Sequence, residues 1–140
     1  MITANRYHDI SCGHRVVNHE SKCANLHGHN YRFHFKVSPN NNLDSIGRVL
    51  DFSVIKSTLC EWLEKNWDHR MLIWDQDPIK DILRSADPTI VYVDFNPTAE
   101  NIAKNFVEHV SPRLLEGLNC TLIELTIEET RKCSVTYTKK

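Results

Sequence analysis

The sequence contains no apolar run approaching the roughly 18 residues that a membrane-spanning helix requires, which argues against a bilayer-embedded protein. It has no Lys/Arg run and no basic strip interleaved with aromatic residues. Its 17 basic and 18 acidic side chains nearly cancel, so nothing in it would attract a phosphate backbone, and nucleic acid is not an expected partner. It has no CxxC spacing. The five cysteines (Cys12, Cys23, Cys60, Cys120 and Cys133) are an odd number, and Met1 to Arg6 lack the apolar stretch of a secretory signal, so a reducing, cytoplasmic setting is expected. The HExxH pattern of one large class of zinc hydrolases is also missing. There is no internal repeat and no low-complexity segment. A chain of 140 residues is expected to form a single domain over residues 1–140 and to bury roughly two-thirds of its unfolded surface. A metal is then not obligatory for folding, and any metal it holds is more readily explained by function.

What is present begins with periodicity. From about Arg6 to Val17, apolar and polar residues alternate, with Ile10, Cys12 and His14 on one parity, predicting a first strand. Tyr31, Phe33, Phe35 and Val37 alternate with Arg32, His34 and Lys36 up to Pro39, predicting a second, half-buried strand. Counting back by twos from Tyr31 reaches His29 and His27, which places both on the face of the aromatic row. Asp51 or Ser53 can cap a helix to about Trp67, with Phe52, Ile55, Leu59, Trp62 and Leu63 as its apolar stripe. Asp77-Pro78 predicts a short helix over 79–85, and Thr89 to Val93 a short strand, two elements with the character of an insertion. Pro97-Thr98 opens a longer helix ending near Gly117, followed by strands over 120–129 and 133–138. The order ββ, helices, ββ predicts an α+β fold, an antiparallel sheet covered on one face.

Chemistry concentrates in Cys23-Ala24-Asn25-Leu26-His27-Gly28-His29. Neutral imidazole is a common zinc ligand, and two on one strand face leave a site needing a third protein ligand, for which His14 is the candidate. A closed structural site would recruit Cys23 as the fourth ligand. An open catalytic site would leave that thiol free, and a nearby dication together with Lys22 would favour its thiolate. His8, His19, His34 and His109 read as ordinary surface or core histidines. Asp68-His69 follows the first long helix, where an imidazole complements the helix dipole or, held by its carboxylate neighbour, relays a proton. Glu129 continues the parity of Ile123, Leu125 and Ile127 and is either solvated at the strand end or aimed into a pocket. In a pocket it can accept two N–H bonds from the amidine-like edge of a heterocycle. Glu128, on the other parity, reads as surface.

Ser11-Cys12-Gly13-His14-Arg15, Cys23 through Tyr31, Gly47-Arg48-Val49-Leu50-Asp51-Phe52, Asp68-His69, Pro97-Thr98-Ala99-Glu100-Asn101, and Glu129-Thr130 with Tyr137 behind occur in this order. Together they resemble the 6-pyruvoyl-tetrahydropterin synthase and 6-carboxy-tetrahydropterin synthase family over almost the whole chain. The resemblance implies a T-fold: a four-stranded antiparallel sheet with two main helices on one face, in ββααββ order with a short inserted helix and strand, several subunits joining sheets around a central barrel. It implies His14, His27 and His29 as zinc ligands, Cys23 as catalytic thiol, Asp68 and His69 as its relay, and Glu129 as the carboxylate that anchors the pterin ring. The implied substrate is 7,8-dihydroneopterin triphosphate, and the implied assembly is a homo-oligomer, a trimer or hexamer. The three residues between Cys23 and His27 resemble the spacing of the 6-carboxy enzymes of the queuosine pathway, which release triphosphate and acetaldehyde. The alternative within the family is triphosphate elimination to 6-pyruvoyl-tetrahydropterin, and outside enzymology a non-catalytic pterin-binding zinc protein. Residues 73–95 are longer than in compact members of the family.

Overall fold

The computed structural model describes all 140 residues, Met1 to Lys140. Its framework is one six-stranded sheet. Strands β1 (Ala4–His14) and β2 (His27–Pro39) form an antiparallel pair in which Ile10 faces Tyr31, Cys12 faces His29 and His14 faces His27. Helix α1 covers residues 52–66, β3 is Arg70–Trp74, α2 is Lys80–Ala86 and β4 is Val91–Val93. Helix α3 covers residues 99–114, followed by β5 (Cys120–Glu128) and β6 (Ser134–Thr138). The strand order is β4-β3-β1-β2-β5-β6. The antiparallel quartet β1, β2, β5 and β6 is the one the sequence predicts. Two further strands extend it: β3 runs parallel to β1 and β4 parallel to β3, so the sheet is mixed. The sequence reading anticipated β4 but not β3, whose run Met71-Leu72-Ile73-Trp74 carries no alternation.

Alternation in β2 buries Tyr31, Phe33, Phe35 and Val37 against the helices. The side chains of α1 and α3 close over this row, with the Phe106 ring 5.7 Å from Phe35 and the Trp67 ring 6.4 Å from Phe33. Asp51 caps α1 by accepting from the Ser53 N–H, and Thr98 caps α3 by accepting from that of Asn101. Both helices contain a widened, π-type turn, at Lys56–Cys60 and Phe106–Val110. In α1 the buried residues Ile55, Leu59 and Leu63 recur every four positions, and Phe52, expected on that stripe, faces solvent. On β5 the inward row is Leu122, Leu125 and Ile127, not Ile123, because a register shift opposite Lys36 and Val37 makes Ile123 the extra residue.

The other sheet face is polar, with Asp9–Arg32, Lys36–Glu124 and His34–Glu128 pairs lying across neighbouring strands. No helix is long and apolar enough to cross a membrane.

Candidate metal centre and the residues around it

At the ends of β1 and β2, the side chains of His14, His27 and His29 converge. Their ring centroids stand 4.4, 5.1 and 4.9 Å apart. The register requires this, because His14 faces His27 directly and His29 lies two residues along the same face. Gly13 and Gly28 face each other beside them, and a Cβ on Gly13 would come within 2.7 Å of Met71 Sδ.

Two of the rings are oriented from behind by backbone carbonyls. His14 Nδ1 lies 2.7 Å from Pro97 O, with Tyr31 Oη at 3.1 Å, and His27 Nδ1 lies 2.7 Å from Asn25 O. A carbonyl oxygen only accepts, so in both rings the proton sits on Nδ1 and the Nε2 lone pair is free. The Nε2 atoms of His14, His27 and His29 are all buried without a hydrogen-bond partner. Three buried ring nitrogens converging on one region form a set that a common cation would satisfy. Burial lowers the pKa of His29, with Glu129 opposing and the other two imidazoles reinforcing, which favours its neutral form.

Glu129 joins this group. Its Oε1 is 2.8 Å from His29 Nε2, without hydrogen-bond alignment, and 3.6 Å from His14 Nε2. One ligand atom from each of the four residues falls within 4.8 Å of the others. Three neutral imidazoles and one carboxylate suit zinc, with the carboxylate either ligating or left free beside an open position.

Cys23 lies in a single 3-10 turn, Lys22–Ala24, half-buried. Its carbonyl accepts from the Val16 N–H at 2.8 Å, which ties it to the chain just beyond His14. Asp68 and His69 are placed differently. They follow α1, which ends at Asn66, and His69 adopts a left-handed φ of 60° that turns the chain into β3. Its N–H donates to Ser11 O at 2.6 Å, and Ser11 N–H donates to Asp68 Oδ1 at 2.9 Å. Asp68 Oδ2 meets His69 Nδ1 at 2.9 Å. Burial raises the Asp68 pKa, but the Ser11 N–H and His69 outweigh it and the net shift is downward. His69 borders a cleft of about 410 Å³ lined in part by Ser11, Asn30 and Arg70. Ser11 and Asn30 alternate with Cys12 and His29, so they occupy the sheet face opposite the imidazoles. One chain therefore brings His14, His27, His29 and Glu129 together, and neither Asp68 nor His69 hydrogen-bonds to them or to Cys23.

Sequence reasoning missed the backbone carbonyls of Pro97 and Asn25, which no side-chain pattern signals. It also missed Arg15, although that residue stands inside the first motif. Arg15 Nε donates to Asp77 Oδ2 at 2.9 Å, and its Nη1 donates to Ala24 O at 3.1 Å. Cys12, buried on the inward face, is pushed up to about 12 by burial and by Asp68, and is an inert thiol.

A family profile described as 6-pyruvoyl tetrahydropterin synthase matches residues 3–140. The chain is 34% identical over 137 residues to a 6-carboxy-5,6,7,8-tetrahydropterin synthase of Rickettsia felis, covering 96% of this chain and 99% of that protein. It is 31% identical over 123 residues to a probable enzyme of the same name from Halobacterium salinarum, covering 86% and 76%. Among solved structures, an uncharacterized protein from Wolinella succinogenes superposes with a TM-score of 0.86 at 19% identity, covering 99% of this chain and 98% of the other. The Caenorhabditis elegans 6-pyruvoyl tetrahydropterin synthase superposes at 0.70 with 25% identity, covering 99% and 96%. The chain thus has the T-fold and belongs to the 6-pyruvoyl tetrahydropterin synthase family.

Proposed function

We propose that this protein is a zinc-dependent lyase that converts 7,8-dihydroneopterin triphosphate to 6-carboxy-5,6,7,8-tetrahydropterin, with release of triphosphate and acetaldehyde, in queuosine or a related 7-deazapurine pathway. The observation that carries the reading is the trio of buried, unpartnered Nε2 atoms beside Glu129 in a chain whose relatives bear that enzyme's name. Zinc held by His14, His27 and His29 would supply Lewis acidity to a side-chain hydroxyl of the substrate. Cys23, in the turn next to the cluster, accepts and returns the proton that moves between side chain and ring. Glu129 accepts N–H bonds from the amidine-like edge of the pterin and fixes the ring against the cluster. Asp68 holds Nδ1 of His69, leaving His69 Nε2 to exchange protons with Cys23.

Asp68 and His69 front the other sheet face, which supports a homo-oligomer, a trimer or hexamer, in which they serve the Cys23 turn of a neighbouring subunit. The sheet ends in two strands with one unpaired edge each, β4 and β6, and a closed ring of subunits would cover such edges.

The test is incubation with 7,8-dihydroneopterin triphosphate and quantitation of both products. Triphosphate and acetaldehyde in equal amounts support the proposal. Triphosphate without acetaldehyde would instead mark 6-pyruvoyl-tetrahydropterin synthesis, and binding without either product a non-catalytic pterin-binding protein.

A further inference from the structure

The insertion between β3 and β4 buries one carboxylate completely. Asp77 has no exposed side-chain surface. It sits in a turn where its N–H donates to Trp74 O at 3.0 Å and its carbonyl accepts from the Lys80 N–H at 3.1 Å. Oδ1 accepts from the Ile79 N–H at 2.9 Å, and Oδ2 accepts from Arg15 Nε at 2.9 Å. The same guanidinium donates through Nη1 to Ala24 O at 3.1 Å. Arg15 directly follows His14 and Ala24 directly follows Cys23, so one side chain joins the insertion, a histidine of the cluster and the cysteine turn.

That turn has little else to hold it. Lys22–Ala24 buries no residue and has no side-chain cap. Its position rests on the Arg15 bond to Ala24 O, the Val16 N–H bond to Cys23 O and the His27 contact with Asn25 O.

We infer that Asp77 is a positioning residue for Cys23: it fixes the Arg15 guanidinium, and Arg15 fixes the turn that carries the thiol. The insertion is then part of the cysteine's support and not a peripheral addition. The geometry requires both residue types. Nε and Nη1 of Arg15 diverge in one rigid plane toward two acceptors, which a single lysine ammonium cannot reproduce. Asp77 accepts on both oxygens, whereas an asparagine amide has one acceptor and one donor end, so either the Ile79 or the Arg15 bond is lost.

The inference rests on the proposed role of Cys23 only for its effect on turnover, so the turn itself is measured separately. In the full chain, amide hydrogen exchange is followed at Val16, Ala24 and Asn25, with iodoacetamide labelling of each cysteine mapped by mass. Exposed Cys133 and buried Cys60 and Cys120 serve as internal references. Asp77→Asn and Arg15→Lys are each expected to speed exchange at the three amides about tenfold, the effect of losing one hydrogen bond to a charged group. Labelling of Cys23 should rise relative to Cys133, with Cys60 and Cys120 unchanged. Unchanged exchange at the three amides in a folded variant would overturn the inference, as would a rise at Cys60 and Cys120 in step with Cys23, which marks global loosening. If Asp77→Asn does not fold, Arg15→Lys, whose side chain is 21% exposed, carries the test. A loosened turn with undiminished turnover would support the positioning and refute the catalytic role of Cys23.

Discussion

Adding zinc to metal-free protein should raise its thermal midpoint by about 9 °C once free zinc reaches a hundredfold excess over its dissociation constant. The figure follows from two quantities. A ligand bound only by the native state stabilises it by about 2.7 kcal/mol at that excess. Near 60 °C, an unfolding entropy of about 2.1 cal/mol/K per residue gives roughly 0.3 kcal/mol/K for 140 residues, and the quotient is about 9 °C. Binding is confined to the native state because the three Nε2 atoms converge only when His14 is paired with His27 in the β1–β2 ladder. The assay is thermal unfolding in zinc-buffered solution, with wild type beside His27→Ala and His34→Ala. His34 pairs with Glu128 on the opposite face, so its variant should keep the full shift while His27→Ala loses most of it. An equal shift in all three proteins would place the metal elsewhere and refute the reasoning.

Glu129→Gln should retain the metal and raise KM by roughly ten- to a hundredfold, the effect of losing a charged hydrogen-bond acceptor. Loss of metal from that variant, seen by elemental analysis, would make Glu129 a ligand, as its 2.8 Å approach to His29 allows. Asp68→Asn tests pH dependence. The Asp68 pKa is depressed below its ordinary 3.8, so its stabilisation is full above that value and is lost as pH falls through the folded value. Denaturant titrations should therefore show a stability gap between wild type and Asp68→Asn that closes as pH falls below about 5; a gap that widens in acid would reverse the assignment. Leu63→Ala empties a fully buried site beneath α1 and should cost about 2–5 kcal/mol in the same titration. A cost under about 1 kcal/mol would contradict the packing described.

The antiparallel quartet was legible because period-two alternation is strict in β2 from Tyr31 to Val37 and present in β1 from Ile10 to His14, and the same parity count that buries Tyr31 and Phe33 places His27 and His29 beside His14. Strand β3 was not, since a short uninterrupted apolar run carries no period. Ile123 was misplaced because a register shift moves parity by one residue and leaves no mark in composition. At the site, side-chain chemistry could be read but its support could not: the carbonyls of Pro97 and Asn25 belong to the backbone. Asp77 read as a helix cap, but α2 begins at Lys80 with Ile79 as its N-cap, and Asp77 instead accepts from the Ile79 N–H in the turn before it; its second partner, Arg15, is 62 residues away in sequence, a distance local patterns do not span. Asp68-His69 read as a relay for Cys23, and only the register of Ser11 and Asn30 reveals which sheet face it lies on.

The central claim is that Cys23 works beside the metal and not on it. Cys23→Ala separates the two roles in a single preparation assayed for zinc content and for acetaldehyde release from 7,8-dihydroneopterin triphosphate. The account predicts wild-type zinc per chain and no acetaldehyde. Loss of zinc together with activity would make Cys23 a ligand, and full zinc with undiminished acetaldehyde would contradict its catalytic role.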